Sequence, residues 1–431
     1  MKDLMKTLFS VMIIVLLYYM GYGEGRRILS MKDFIASDHT NVDYSQAMQK
    51  AWKELCKDQA SSNGSALVIE KKETYTLQPQ LFEGPCVSSD VHIQIDGKIK
   101  APAKPRDWEN SERQCWLCFK DIVGLVLNGS GVLLPHGEAW WPSVRHSKRP
   151  TTISFDTCHG IVYNGLTQMN SPKNHISVVG CKNVTLSNLN ISAPHDSPNT
   201  DGINICESHN IHVLDSSIQT GDDCVAITGG KGGSSDINIT RVACGPGHGI
   251  SIGSLGKDET DDIVENVNVK SCSFSGTQNG ARIKTWHGGQ GSARNILYEH
   301  ITLVNASFPI IIDQNYTDSR LKGNAVRVDN VKFRHFKGTS ASKIAIKLNC
   351  ENCHNIVMEH INITSSSPDT KLKAYCRFAD VRTSFVNIDV KCNACKYHQP
   401  PALSPEQPPA LSPDQPPALS PDQPPALSRL P

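Results

Sequence analysis

The chain has 431 residues, 39% hydrophobic and 20% charged, with a formal net charge of +1. That composition is globular, and the absence of a strong basic surplus sets nucleic acid aside as a partner. Aromatic residues make up only 6%, so the core is expected to be built largely from Val, Ile, Leu and Ala.

The first element in chain order is an export signal over residues 1–23. Lys2 and Lys6 precede an apolar run from Leu8 to Met20, and Gly21 and Gly23 offer a small-residue cleavage site. The run is shorter than the roughly 20 residues that a membrane span requires, which favours a cleaved signal over the alternative of a signal anchor. No later segment is apolar for long enough, so no membrane association is expected. Residues 24–42 read as an N-terminal segment with scope for flexibility. Asp43 to Cys56 reads as a capping helix, with Asp43 as N-cap and Ala47, Ala51 and Leu55 at helical spacing. The main body runs over 43–398. From Pro400 a unit Pro-Pro-Ala-Leu-Ser-Pro-Glu/Asp-Gln recurs, restarting at Pro408, Pro416 and Pro424. Fixed φ and missing donors make residues 399–431 a disordered, polyproline-like tail. It serves as a spacer or as an arm that associates with the cell wall.

Fifteen cysteines suit an oxidising compartment that pairs most of them, with at least one left over. Sequons at Asn63, Asn128, Asn183, Asn190, Asn238, Asn305, Asn315 and Asn362 fit a secreted, extracellular glycoprotein.

The middle of the chain repeats. A unit Asn-apolar-X-apolar-X-Asn/Asp/Ser-X-X-apolar opens at Asn183 and Asn210, with variants at His159, Asp236, Asn266, Asn295, Ala325 and Asn355. The spacing, mostly roughly 24 to 30 residues, is that of solenoid coils. Apolar residues alternate within each unit, the mark of a strand with one face buried. A second short alternating run follows in each: Ile203 to Ile205, Val225 to Ile227, Ile250 to Ile252, Ala281 to Ile283 and Ile310 to Ile312. Helical spacing is absent here, and so is the Leu spacing of a leucine-rich repeat. The expected fold is all-β, a right-handed parallel β-helix with a short N-terminal capping helix, in one stack rather than several domains.

Reactive side chains recur beside that second run. Asp201 precedes Gly202-Ile203, Asp222 and Asp223 precede Cys224-Val225, and His248 precedes Gly249-Ile250. Arg282 and Lys284 flank Ile283 on one face. Stacked strands lie about 4.8 Å apart, so these groups are expected to form one column. Turn punctuation explains any one of these residues but not four neighbouring coils. Glycosidic cleavage needs one carboxyl protonated and another ionised, and mutual repulsion within a carboxylate group supplies the difference. The adjacent cations suit a substrate that itself carries carboxylates.

These segments resemble the polygalacturonases, glycoside hydrolase family 28, and most closely their plant branch. The motifs are Asn199-Thr200-Asp201-Gly202, Gly221-Asp222-Asp223-Cys224, Gly247-His248-Gly249-Ile250-Ser251-Ile252-Gly253 and Arg282-Ile283-Lys284-Thr285-Trp286. Weaker likeness runs from about Asp43 to Cys395, including Trp140-Trp141 and Pro309 to Gln314. The resemblance implies a glycosidase that cleaves α-1,4-galacturonosyl linkages of polygalacturonan or pectin with inversion. It implies Asp222 as general acid, Asp201 and Asp223 as activators of water, and His248 as support for the acid. Asn199, Arg282, Lys284 and Tyr316 would meet the substrate. Spacing alone allows both retaining and inverting separations. The implied protein is a monomer that needs no cofactor and no metal.

The chain departs from the family pattern at Ile35-Ala36-Ser37-Asp38, at Gly131 to Gly137, and at Ala226 and Thr228. Two other readings stay open: a calcium-dependent pectate lyase, in which the carboxylates bind Ca²⁺, and a non-catalytic wall-binding protein. Cys350-Glu351-Asn352-Cys353-His354 matches a haem-attachment pattern, and Cys115/Cys118 and Cys392/Cys395 a zinc one. In an exported chain, cystines are the better reading of each, with the partners of Cys115, Cys118, Cys392 and Cys395 left open. Cys224 with Cys244 is the firmest expected pair.

Overall fold

A computed structural model describes residues 26–36, 43–58, 64–109, 114–142, 144–316 and 325–393. The expected signal peptide, the Pro-rich tail and Asn63 lie outside them. Among the described residues thirty strands form one continuous sheet, paired in parallel, one coil upon the next. This is the expected right-handed parallel β-helix.

Eight strands make the face that matters below. They are β1 (Ile176–Val179), β2 (Ile203–Cys206), β3 (Val225–Thr228), β4 (Ile250–Leu255), β5 (Asn279–Thr285), β6 (Phe308–Asp313), β7 (Ile344–Ser365) and β8 (Lys373–Val386). In-register parallel pairing sets like on like. Ile176, Ile203, Val225, Ile250, Ala281, Ile310 and Ile346 form one inner column. Val178, Ile205, Ile227, Ile252, Ile283, Ile312 and Leu348 form the next. Every member is fully buried, each large side chain stabilising the stack by about 1.5–3 kcal/mol. Side chains between these columns must therefore face outward, which fixes where polar groups can stand.

The aliphatic core expected from composition holds for these coils but not for the whole stack. Phe82, Phe119 and Phe155 stack in the N-terminal coils, with centroids 4.6 and 5.5 Å apart. Tyr298 and Phe333 stack further along, at 5.8 Å.

At one corner the repeat becomes an amide ladder. Asn183, Asn210, Asp236, Asn266, Asn295, Asn330 and Asn355 all adopt positive φ, between 51° and 59°. Asn and Asp tolerate that region better than other side chains. Asn210 Nδ2 donates to Asn183 Oδ1 (2.7 Å), Asn266 to Asp236 (3.1 Å), Asn295 to Asn266 (3.1 Å) and Asn330 to Asn295 (2.9 Å). The unit read as opening at Ala325 is thus out of register; its ladder residue is Asn330. An extra stretch of chain ahead of that coil hides the offset.

The capping helix α1 spans Ser45–Lys57 and buries Ala47, Met48, Ala51, Trp52 and Leu55. Its N-cap is Tyr44, which makes no side-chain cap bond. Asp43, the expected cap, stands one residue earlier and accepts the Ser45 backbone N–H at 3.0 Å. Part of the N-terminal segment is built into the fold: Arg27–Ser30 pairs in parallel with Ser65–Ile69. The coil containing Gly131 to Gly137 also forms, with Leu133 fully buried between Val132 and Leu134.

Among the described residues five disulfides join Cys56–Cys86, Cys115–Cys118, Cys224–Cys244, Cys350–Cys353 and Cys376–Cys392. The Cys224–Cys244 expectation holds. Cys392, whose cystine partner the sequence left open, pairs with Cys376, where the returning chain lies against β8. Cys158, Cys181, Cys206 and Cys272 are free thiols, and Cys395 lies outside the described residues. No helix among those residues is long and apolar enough to cross a membrane.

Candidate active site

The reactive residues enter from the turns that lead into β2, β3 and β4. Register sets Asp201, Asp223 and His248 each two residues ahead of an inner-column residue, Ile203, Val225 and Ile250. The fourth member is Asn279, two residues ahead of Ala281. Arg282 and Lys284 are therefore not in this column, as the sequence reading had them. They stand on the face of β5 and reach back to it. The cause is geometric: residues that flank an inward Ile283 belong to the strand face, not to the turn before it.

Their reach makes the site. Lys284 Nζ lies 2.6 Å from Asp223 Oδ2, and Arg282 Nη1 lies 3.6 Å from Asp223 Oδ1. Ser251 Oγ donates to Asp223 Oδ1 at 2.7 Å. Asp223 is 1% exposed and Lys284 7%, so this pair is sequestered from water and each partner depends on the other. His248 Nδ1 meets Asp222 Oδ1 at 2.8 Å, and Asn199 Nδ2 donates to Asp222 Oδ2 at 3.3 Å. The Asp223 backbone N–H donates to Asp222 Oδ1 at 2.9 Å.

The three carboxylates are unequal. Burial, compounded by the charges of Asp222 and Asp223, pushes the Asp201 carboxyl well above the ordinary range. Burial also acts upward on Asp222. The hydrogen bond and charge of His248, with Lys284 and the Asp223 amide, outweigh it and hold Asp222 below its ordinary value. One acid of the group is raised, as mutual repulsion requires. In the free protein that acid is Asp201.

Tyr316 closes the far side. Its ring centroid lies 5.3 Å from both the Arg282 guanidinium and Lys284 Nζ, and its edge meets Trp286 at 6.4 Å. Every reactive residue expected from the sequence, from Asn199 to Tyr316, thus falls in one patch of the face.

Several contributors escaped the sequence reading. His175 is fully buried; its Nδ1 lies 2.9 Å from the Asp201 carbonyl and its Nε2 accepts the Ser171 N–H at 3.3 Å. It therefore holds the Asp201 backbone as the neutral Nδ1–H tautomer, and burial drives its pKa down to about 4. Asn279 Nδ2 donates to the His248 carbonyl at 3.0 Å. Arg149 donates to the Pro198 carbonyl at 2.7 Å, steadying the loop that carries Asn199. His146 lies near enough to Asp222 to feel its charge, although burial, Lys173 and Arg149 hold its pKa down. An offset comparison would have found Asn279, since Asn279-Gly280-Ala281 repeats the pattern of His248-Gly249-Ile250.

Two motifs of the resemblance prove to be structural. Gln314 is fully buried; its Nε2 donates to the Val326 carbonyl (2.7 Å) and its Oε1 accepts the N–H groups of Glu351 (2.8 Å) and Asn352 (2.7 Å). Trp140 packs edge-on against Trp108, with centroids 5.0 Å apart.

Asp222, Asp223 and His248 offer ligand atoms within 4.8 Å of one another. They fit a cation poorly, because Asp222 already holds His248 and the Lys284 ammonium occupies Asp223. Of the sequons, Asn183, Asn190, Asn305, Asn315 and Asn362 are exposed, while Asn128 and Asn238 are half-buried. Asn128 Oδ1 also meets His92 Nε2 at 2.9 Å, and Asn238 Oδ1 accepts from Asn268 at 3.3 Å.

A parallel β-helix with a carboxylate cluster faced by two cations defines a polysaccharide-cleaving class of protein. Residues 56–384 match the model of glycosyl hydrolases family 28, and the chain belongs to that family. A probable polygalacturonase of Arabidopsis thaliana is 40% identical, over 85% of this chain and 80% of its own length. A polygalacturonase of Persea americana is also 40% identical, over 78% and 74%. Among solved structures, a hyperthermoactive exopolygalacturonase from Thermotoga maritima superposes with TM-score 0.68 at 20% identity, over 84% of this chain and 91% of its own. The polygalacturonase of Erwinia carotovora gives 0.65 at 22%, over 85% and 97%. At those identities the likeness supports the fold.

Proposed function

We propose that this protein is a secreted polygalacturonase that hydrolyses α-1,4-galacturonosyl linkages with inversion. The observation that carries the reading is the division of labour among three neighbouring carboxylates. Asp223 is salt-bridged to Lys284 and Arg282. Asp222 is tied to His248, and burial beside the other two carboxylates pushes the Asp201 carboxyl up. Names of relatives that span most of the chain supply the substrate.

The reactive form needs the proton on the acid that faces the leaving oxygen. Moving one proton from Asp201 to Asp222 leaves the charge of the cluster unchanged and produces it. Asp222, steadied by His248 and Asn199, then protonates the glycosidic oxygen. Asp201 and Asp223 accept the proton of the attacking water from the other face. Arg282 and Lys284, backed by Tyr316, bind the galacturonate carboxylate.

The test incubates secreted protein with polygalacturonic acid in the presence of a calcium chelator. New reducing ends without unsaturated product are expected. Unsaturated product that vanishes with chelator would instead establish a lyase, and no product on any pectic substrate a wall-binding protein. The acid role has its own test. A galacturonide with a good leaving group should restore activity to Asp222→Asn, which lacks the acid, but not to Asp201→Asn, which lacks the base.

A further inference from the structure

The outward residues of the face continue past Arg282 and Lys284 in strict register. Ile311 and Asp313 of β6 flank the inward Ile312; Lys347 and Asn349 of β7 flank Leu348; Tyr375 and Arg377 of β8 flank Cys376. All three flanked residues are 7% exposed or less, so each flanking pair points outward, on the same side as Arg282 and Lys284. Three coils at about 4.8 Å each put Tyr375 and Arg377 roughly 14 Å along the axis from Arg282 and Lys284, and five coils put them about 24 Å from Asp222 and Asp223.

These residues differ in how far they are satisfied. Asp313 is the one carboxylate among those six, and it is neutralised: Lys347 Nζ lies 2.8 Å from its Oδ2 and Asn349 Nδ2 donates to its Oδ1 at 2.9 Å. It therefore presents little charge to repel a polyanion. Arg377 has no ion-pair partner among the described residues, and its Nε is buried without a hydrogen bond. Its guanidinium lies 4.7 Å from the Phe378 ring centroid, which holds it in place. Tyr375, in the other outward row of the same strand, is 42% exposed. A held, unpaired guanidinium beside an exposed aromatic ring is what a carboxylated sugar requires: a planar fork for the carboxylate and a flat face for the ring.

We propose that Arg377 and Tyr375 form a distal subsite for a further galacturonate unit of the same chain, a few sugars from the bond cleaved. The proposal rests on the polygalacturonase reading above. The subsite lies on the C-terminal side of the reactive cluster. It engages long substrates and is beyond the reach of short ones.

The experiment compares Arg377→Gln and Tyr375→Ala with the parent protein on long polygalacturonate and on trigalacturonate. Removing a charge-assisted contact should raise KM for the polymer about ten-fold. The kcat for the polymer and both constants for the trimer should stay within about two-fold of the parent. Circular dichroism and thermal melting establish that the variants fold. Polymer KM unchanged in both folded variants overturns the subsite, and so does a trimer KM that rises by the same factor. If the parent protein itself releases no reducing ends, the polygalacturonase reading has failed instead. Retention on immobilised polygalacturonate then still tests the subsite: Arg377→Gln should elute earlier than the parent, and equal retention would overturn it.

Discussion

Two polar columns run along this solenoid, and they handle the same problem in opposite ways. At the corner, Asn183 to Asn355 stack as neutral amides broken by a single carboxylate, Asp236, with Asn266 and Asn295 each giving a hydrogen bond to one coil and taking one from the next. On the face, Asp201, Asp223 and His248 stand in register with the charged Asp222 beside them, and like charges adjoin. The first column is self-satisfying and could be extended coil by coil. The second is stable only because groups from outside it, Lys284, Arg282 and Ser251, reach in to hold it. Repetition serves stability; breaking the repetition creates chemistry.

The sharpest way to separate the two columns is to disable the reactive one without disturbing the stack. Asp222→Asn is nearly isosteric at a partly buried position, so kcat should fall about 10³-fold while the melting temperature stays within about 2 °C. A reducing-end assay beside a thermal melt checks both, and a variant that keeps most of its activity would sink the acid role.

Lys284→Met should break the contrast by making the site a structural liability. It leaves Asp223 buried without its closest partner, a loss of about 3–5 kcal/mol, read from urea unfolding. Stability unchanged would mean that Arg282 and Ser251 already satisfy Asp223.

His175 links column to pH. The unfolded imidazole takes a proton near 6.5, the buried one only near 4. Stability from the neutral ring is therefore fully present above 6.5 and drains away as pH falls toward 4. The difference between the parent and His175→Gln should change by on the order of 3 kcal/mol across that window. Parallel melting curves against pH would contradict this.

The smallest effect belongs to the ladder. Asn266→Ala loses two amide bonds and forces Ala to a φ of 56°, costing about 2 kcal/mol with activity intact. Asn266→Gly should recover the backbone part of that cost.

The architecture was legible because period-two burial and coil-length spacing are local facts of the chain. The reactive aspartates and His248 were legible because each precedes a recognisable inward pair. What escaped depends on register, which only assembled coils display. His175 joins the site through a neighbour one coil away, whereas Asn279 was open to an offset comparison with His248-Gly249-Ile250. Arg282 and Lys284 were assigned to the wrong column because sequence order does not say whether a residue ends a turn or begins a face. Ala325 was misplaced because its coil is longer than the one before, 35 residues from Asn295 to Asn330 against 29 from Asn266 to Asn295. The partner of Cys392 stayed open in the sequence because it is set by where the chain returns.

The disulfides carry a consequence for how the molecule comes apart. Each joins residues separated by 30 positions or fewer, so none clasps one end of the stack to the other. In a solenoid, contacts pass only between neighbouring coils, and loss starts where a coil has one neighbour instead of two. Cys56–Cys86 ties α1 to the first coils, and Cys376–Cys392 ties down the last strand. They work like the whipping on the ends of a rope. A reductant should let the stack fray inward from its termini, with the reactive coils the last to loosen.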